Sequence, residues 1–550
     1  MSKYVIGLDF GTLSGRALVV DVETGRECAS AVMEYPHGVL SEKLPDGTPL
    51  PPDFALQDPE DYIQCLRFIV PEAMRRANVT ADEVIGLGLD FTSSTFLPVD
   101  ETLVPLCLKA EFVSEPHAWV KIWKHHAANR EAELMTQSAN AEQLKRFGGK
   151  VSSEWMIPKL WETIRKAPAV AEGAYTFIEA GDWLIGLMTG SRKRSATMAG
   201  FKAFWDWDKG FATDWFRAID PKLADVVENK LDFPYVPIGS EAGKIDLSGS
   251  VLTGLKIGTP VAVANIDAYV ALPAANIVST GAMMMIIGTS GCHLMLGDTD
   301  VSVPGMCGSF KNGMMPGSIS YESGQSCMGD HFAWFTERCC PAEYAHQAKE
   351  RNMNLHQYLT MLAQKEKPGA GGLIALDWWN GNRSVLVDYD LSGMILGLTL
   401  ATRAEEIYRA LIEATAYGAR MIVDTFEKYG VPIRELCASG GIAKKNRLLM
   451  QIFADVLNRP IRVTASDQIG ALGSAMFGAV AAGEANGGYD TIQVAAAKMC
   501  SPDICVFEPI PENVKIYEQL YREYELLHDY FGRGENNVMK RLRRLREAQC

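Results

Sequence analysis

The chain has 550 residues, 47% hydrophobic and 22% charged, with a formal net charge of −14. That length exceeds what one hydrophobic core serves, so two domains are expected, and the acidic balance leaves no broad basic face for a nucleic-acid partner. No apolar run reaches the ~18 residues of a membrane span. Met1-Ser-Lys leads straight into a strand pattern with no leader, and the 12 cysteines show no Cys-x-x-Cys spacing. A cytoplasmic chain with reduced thiols is therefore the expectation. Walker A, His-Glu-x-x-His and Gly-x-Ser-x-Gly patterns are absent, which leaves P-loop, zincin and α/β-hydrolase chemistry without support.

In chain order, residues 4–22 come first: an apolar, β-branched run to Asp9, a Gly11-Thr12-Leu13-Ser14-Gly15 turn, and a second β run. This predicts a strand, a tight turn and an antiparallel strand. Gly11 and Gly15 are expected to supply positive-φ freedom and bare N–H groups, which suits a loop pressed against phosphate. Thr12, Ser14 and Arg16 add hydroxyls and a charge, and Asp9 at the strand end suits a hydrated Mg²⁺. An ordinary glycine-rich hairpin is the plainer alternative.

Asp58-Pro59 reads as a helix start, followed by Tyr62, Cys65, Leu66, Ile69 and Ala73 at helical spacing. Residues 84–90 form a buried-strand pattern ending in an acid and followed by Thr-Ser-Ser-Thr, a place where open α/β sheets hold ligands. A helix is expected over residues 117–134, carrying Trp119 and Trp123. There the adjacent His125 and His126 would face different sides and make no metal site. Lys202 lies among Phe201, Phe204, Trp205 and Trp207, a setting that suggests a buried amine over a solvated one. The apolar run 258–266 delivers Asp267 onto a small-residue helix start. Such a carboxylate can accept a hydroxyl proton; a plain helix cap is the alternative.

Residues 271–280 read as a linker and the domain boundary. Beyond it, residues 283–296 repeat the first motif, with Gly288-Thr289-Ser290-Gly291 as the turn. Glu322 follows within Tyr-Glu-Ser-Gly-Gln-Ser. A strand then ends in Gly440-Gly441, with a helix starting near Asn446; paired glycines let the backbone approach a flat ring. Residues 470–483 form a small-residue helix placed to pack under that point. The tail after Pro511 reads as a helix docked through its tyrosines, and the basic run 540–546 as an amphipathic terminal helix.

Two similar hairpins in two halves of one chain resemble the actin–hexokinase–chaperone ATPase superfamily, and the opening motif resembles the first phosphate loop of the FGGY carbohydrate kinases. The resemblance implies two actin/hexokinase-like (ribonuclease H-like) α/β domains with a catalytic cleft between them. These would be residues 1–275, with the sugar site, first hairpin and catalytic aspartate, and 276–550, with the second hairpin, adenosine motif and helical tail. It implies ATP and Mg²⁺ as cofactors and a small sugar as partner, with no nucleic acid or membrane; a homodimer is left open. By the same resemblance Asp267 is the catalytic base and Asp9 the metal residue. Gly11, Thr12, Ser14, Arg16, Gly288, Thr289, Ser290, Gly440, Gly441 and Asn446 would bind the nucleotide, and Trp123, Lys202, Asp267 and Glu322 the sugar. The stretches around Trp123, Lys202 and Glu322 are similar to those of the family's L-ribulose-phosphorylating members, although His125 stands where they carry an acid. Kinases of D-ribulose, xylulose or polyols, and an actin- or chaperone-like ATPase, are the alternatives.

Overall fold

The apolar run Tyr4–Phe10 forms a strand, with its antiparallel hairpin partner Ser14–Asp21 on one side and the parallel strand Val84–Phe91 on the other. This is the centre of the first sheet in the computed structural model, which describes residues 2–547 and residue 549. The sheet order is Glu241–Lys244, Pro260–Ala262, Val84–Phe91, Tyr4–Phe10, Ser14–Asp21, Glu27–Glu34, and the short strand Asn265–Ile266 also pairs with Val84–Phe91. On one face lies the Pro59–Ala77 helix, started by Asp58, whose carboxylate accepts from Glu60 N at 2.9 Å, with proline at the first position.

The other face is covered by the Ile469–Ala482 helix, and here glycine decides the packing. A Cβ on Gly7 would lie 1.7 Å from the Ala471 carbonyl oxygen, one on Gly88 1.8 Å from that of Ser474, and one on Gly86 2.2 Å from that of Gly478. Helix backbone and strand backbone thus touch directly, an approach only residues without a Cβ permit. The small-residue helix therefore covers this sheet.

Grouping by contact follows from that packing. The first unit comprises the chain up to Val278 together with Ser309–Ser320 and Gln468–Ser501. The second comprises Ser279–Gly308, Tyr321–Asp467 and the chain from Pro502 onward. Two segments return to the first unit from later in the chain: Gln468–Ser501 through that helix–strand packing, and Ser309–Ser320 through contacts such as Phe310 with Phe201 and Gly313 O with the Thr197 hydroxyl. Residues 271–277 are no loose linker: Ala271–Ala274 is helical, and Leu272, Ala274 and Ile277 are buried.

A second core of the first unit gathers Trp119, Trp155, Trp161, Phe204, Trp215 and Phe216. The helix expected over residues 117–134 is mostly absent. In its place come a turn of 3₁₀ helix at Pro116–Ala118, the strand Val120–Lys121 and a loop, and only Asn129–Ser138 is helical. Residues 117–122 are all buried, so helical spacing of apolar residues carried no information there, and Val120–Lys121 is held between Leu56–Gln57 and Phe96–Val99 in a four-stranded sheet.

The second unit repeats the plan. Ala282–Ile287 runs antiparallel to its hairpin partner Gly291–Gly297 and parallel to Glu435–Ser439, which is followed in the sheet by Ile461–Thr464 and Asp503–Phe507. The Pro511–Gly532 helix docks as expected: Tyr517 donates to Glu413 (2.9 Å), Tyr521 to Asp424 (2.9 Å) and Tyr524 to Asp377 (2.9 Å). Among the described residues no helix is long and apolar enough to cross a membrane.

Since the Ser474 carbonyl belongs to helix backbone and cannot swing aside, Gly88→Ala should overpack the helix–sheet contact and cost about 1–3 kcal/mol or more. Urea unfolding checks this. A variant as stable as the parent would show that helix and sheet can separate freely.

Candidate active site

Three strand ends converge in the first unit. In the parallel register Asp9 stands opposite Asp90, and Asp90 opposite Asn265, two residues before Asp267. The Asp267 N–H donates to Phe91 O (3.0 Å), which fixes the base candidate beside that strand. Its carboxylate accepts from Ala268 N at 2.7 Å, while the short helix that follows begins at Ala271 with no side-chain cap. Helix capping is therefore not its task.

Asp90 is fully buried. Its Oδ2 accepts from the Ser474 hydroxyl at 2.6 Å, and its Oδ1 has no hydrogen-bond partner. Burial pushes the Asp90 carboxyl well above the usual range; the charges of Asp9 and Asp267 add to that push, and the Ser474 bond and Arg16 oppose it. Asp9 is likewise raised by burial, with Arg16 and the Asp90 carboxyl pulling it back. The Arg16 Nε lies 3.7 Å from Asp9 Oδ2. The Arg16 guanidinium thus acts on both Asp9 and Asp90, opposing the cost of burying the two acids side by side.

The hairpin turn beside them is braced from outside. Gly11 N donates to Ser14 O (3.0 Å), Tyr35 OH to Gly11 O (3.0 Å), Gln57 to Thr12 O (2.6 Å), and the Trp123 indole to Thr12 Oγ1 (3.0 Å). The Arg16 Nη2 lies 3.4 Å from Ser14 Oγ. Gly11 and Gly15 do not have the positive φ expected of them. Gly15 is required for space, since a Cβ there would sit 2.5 Å from Cys65 Sγ, whereas one on Gly11 would make an ordinary 3.5 Å contact with Ser14 O.

In the second unit the corresponding turn closes through Gly288 N to Ser290 O (3.1 Å), and Met328 N and Gly329 N donate to the Thr289 and Gly288 carbonyls (2.9 and 3.0 Å). Thr289 is exposed. Gly440 has φ 104°, and a Cβ on it would meet Ile287 O at 2.3 Å; nothing lies within 4 Å of one on Gly441. Gly440 therefore makes the turn, and Gly441 presents an open face. Asn446 is the N-cap of the Arg447–Leu457 helix, its Oδ1 accepting from Leu449 N at 3.0 Å.

Residues 4–273 match the N-terminal domain, and residues 283–482 the C-terminal domain, of the FGGY family of carbohydrate kinases. The chain belongs to that family. It is 51% identical to a protein named Ribulokinase from Geobacillus thermodenitrificans, with 99% of this chain and 98% of that one covered. Its identity to a Ribulokinase from Anoxybacillus flavithermus is 50%, with the same coverage. The crystal structure of xylulose kinase from Rhodospirillum rubrum shares the fold, with a TM-score of 0.78 at 24% identity over 96% of this chain and 98% of that one.

For an FGGY kinase the placement of the other candidates is informative. Trp119 belongs to the second core, its indole donating to Val113 O (3.0 Å). Trp123 is half-buried and reaches the first hairpin turn, so of the two only Trp123 adjoins the site. Lys202 ends the Ala196–Lys202 helix, is buried, and has its ammonium 6.0 Å from the Trp155 ring centre. Glu322 is half-buried within the strand Ile319–Gln325, not in a turn. Asp90, Tyr35 and Gln57 were not assigned from the sequence. A signal for Asp90 existed: Gly7-Leu8-Asp9-Phe10 recurs as Gly88-Leu89-Asp90-Phe91.

The electrostatics make a pH-dependent statement. Asp90 binds its proton more tightly in the folded protein, so its contribution favours folding at low pH and is lost as pH rises from about 4 through its raised value. Asp90→Asn removes that loss. Without Mg²⁺ the variant should be more stable than the parent at pH 8, by on the order of 1 kcal/mol, with the two converging near pH 4. Melting curves at both pH values test it; a variant less stable at pH 8 would refute the strain.

Proposed function

We propose that this FGGY kinase transfers the γ-phosphoryl group of ATP to L-ribulose, giving L-ribulose 5-phosphate and ADP. The observation that carries the reading is the meeting of Asp267 with the Asp9–Asp90 pair at three strand ends beside a hydroxyl-bearing hairpin. Phosphoryl transfer needs a carboxylate to take the acceptor's proton and fixed donors around the phosphates, with little covalent work by the protein. The choice of sugar is supported by the full-length likeness to proteins named Ribulokinase.

In this reading Asp267 accepts the proton of the attacking hydroxyl. Thr12, Ser14, Arg16 and the Gly11 backbone hold phosphate oxygens, as do the Gly288, Thr289 and Ser290 turn groups. Gly440 and Gly441 receive the nucleoside; Asn446 serves by starting the helix beside them. Trp123, Lys202 and Glu322 contact the sugar. A hard cation with oxygen ligands suits the Asp9 position, where the neighbouring Asp90 has a buried carboxylate oxygen that lacks a hydrogen-bond partner. Mg²⁺ bound there would offset phosphate charge. Asp9 would hold it, and Arg16 would keep that carboxylate ionised. The enzyme would act in the cytoplasm, where both substrates are found.

A coupled ADP-release assay over L-ribulose, D-ribulose, xylulose and glycerol tests the assignment. The highest kcat/KM should be with L-ribulose; equal or better use of glycerol, or hydrolysis stimulated only by a protein, would overturn it. Asp267→Asn should lower turnover by roughly 10²–10⁴-fold, the worth of a positioned base, while calorimetry shows ATP bound as by the parent. Near-normal turnover would remove Asp267 from the mechanism. Asp9→Ala should raise the Mg²⁺ concentration needed for half-maximal rate and leave sugar affinity unchanged. An unaltered Mg²⁺ dependence would make Asp9 a strand-end residue only.

A further inference from the structure

Close to these strand ends lies a buried charge that phosphoryl transfer leaves unused. Lys159, on the Met156–Lys166 helix, is fully buried, and its ammonium donates to the carbonyl oxygens of Ser94 (2.5 Å) and Ile122 (3.0 Å). Those carbonyls belong to separate segments. Ser94 lies in the turn after the Asp90-bearing strand, with φ 53° in the left-handed region. Ile122 immediately precedes Trp123, whose indole reaches Thr12.

The setting is costly. Glu179, at the end of the Thr176–Glu179 strand, has a fully buried carboxylate facing the backbone N–H groups of Thr95 and Ser94, and the charge of Lys159 is the main influence opposing its desolvation. Burial pushes the Lys159 ammonium down to about 7 and the Glu179 carboxyl up to about 8. A buried cation of this kind adds little net stability. What it does provide is directional: several N–H donors in one place, two of them bonding the carbonyls that lie just beyond the paired residues Phe96 and Lys121, where the strand pairing itself ends.

We propose that Lys159 is a positioning residue for the sugar, clamping the Ser94 turn to the Ile122–Trp123 segment so that the Trp123 indole is held against Thr12. The proposal rests on the assignment of Trp123 to the sugar site. Lys159 touches neither substrate. It acts through two main-chain carbonyls, so its removal loosens the sugar's wall, while the first phosphate turn keeps its main-chain braces from Tyr35 and Gln57.

The test is steady-state kinetics on whichever sugar the parent enzyme uses best. Lys159→Met keeps the unbranched stem and removes the donors; it should raise the sugar KM by about tenfold or more, with the ATP KM within about twofold of the parent's. In a Trp123→Phe background the same change should add little, because both substitutions undo one contact. Glu179→Gln leaves both carbonyl bonds in place and should keep the parental KM. If Lys159→Met does not fold, the double variant Lys159→Met/Glu179→Gln, which buries no unpaired charge, carries the same comparison. A parental sugar KM for Lys159→Met, or an equal loss in both Trp123 backgrounds, overturns the clamp alone. A parent that phosphorylates no sugar overturns the proposed function and the clamp with it.

Discussion

The active site hangs from one contact, the backbone-to-backbone packing of the Ile469–Ala482 helix on the strands Tyr4–Phe10 and Val84–Phe91. Gly7, Gly86 and Gly88 let the helix come down until carbonyl oxygens occupy the space of missing side chains. At that distance Ser474 reaches Asp90, and Gly470 leaves room for Asp9, whose Oδ2 would lie 2.8 Å from a Cβ there. Gly473 admits the Val270 carbonyl, where a Cβ would meet it at 1.8 Å, and so draws the segment after Asp267 onto the same helix. All three acids take their positions from a single interface of small residues.

That interface assembles a charge arrangement the fold alone would not favour. Parallel pairing of Asp9 with Asp90 puts two carboxyls side by side, and burial penalises ionising both. Another buried cluster of the same unit is paired differently. Lys121 donates to Glu162 (2.7 Å) and Thr163 (2.8 Å), and Glu162 also meets His125 (2.8 Å). Its partners hold Glu162 far below the usual carboxylate range, and burial keeps His125 neutral, with its pKa down to about 3. The Lys121–Glu162 pair is closed on itself, as structural networks are. Asp90 differs: its buried Oδ1 lacks a hydrogen-bond partner, and perturbed groups of that kind cluster at functional sites.

The second unit uses the same strand–turn–strand device with different supports. Its turn is tied by Met328 and Gly329 rather than by aromatic and amide side chains, and Gly440 takes a left-handed conformation where it crosses Ile287. The Pro511–Gly532 helix is tied to the Ala404–Lys428 helix by one buried cluster of Tyr517 with Arg409 and Glu413. Repetition of the strand plan explains why two short Gly-Thr motifs were enough to suggest a duplicated architecture.

Features governed by neighbours in the chain were legible from the amino acids: both hairpins, the Asp58-Pro59 helix start, the strands ending in Asp9 and Asp90, and the docked tyrosine helix. That Trp119 joins the second core while Trp123 reaches Thr12 was not, because residues 117–122 are buried throughout and spacing there no longer reports which face is which. Nor was the helical reading of residues 117–134 safe, since sheet partners from residues 56–57 and 96–99 impose an extended form on part of it. The grouping of acids around Asp90 lay furthest out of reach. Its serine partner stands 384 residues away, and a contact of that span is chosen by which surfaces fit once both have formed, a matter of glycine placement on two faces that no local pattern encodes.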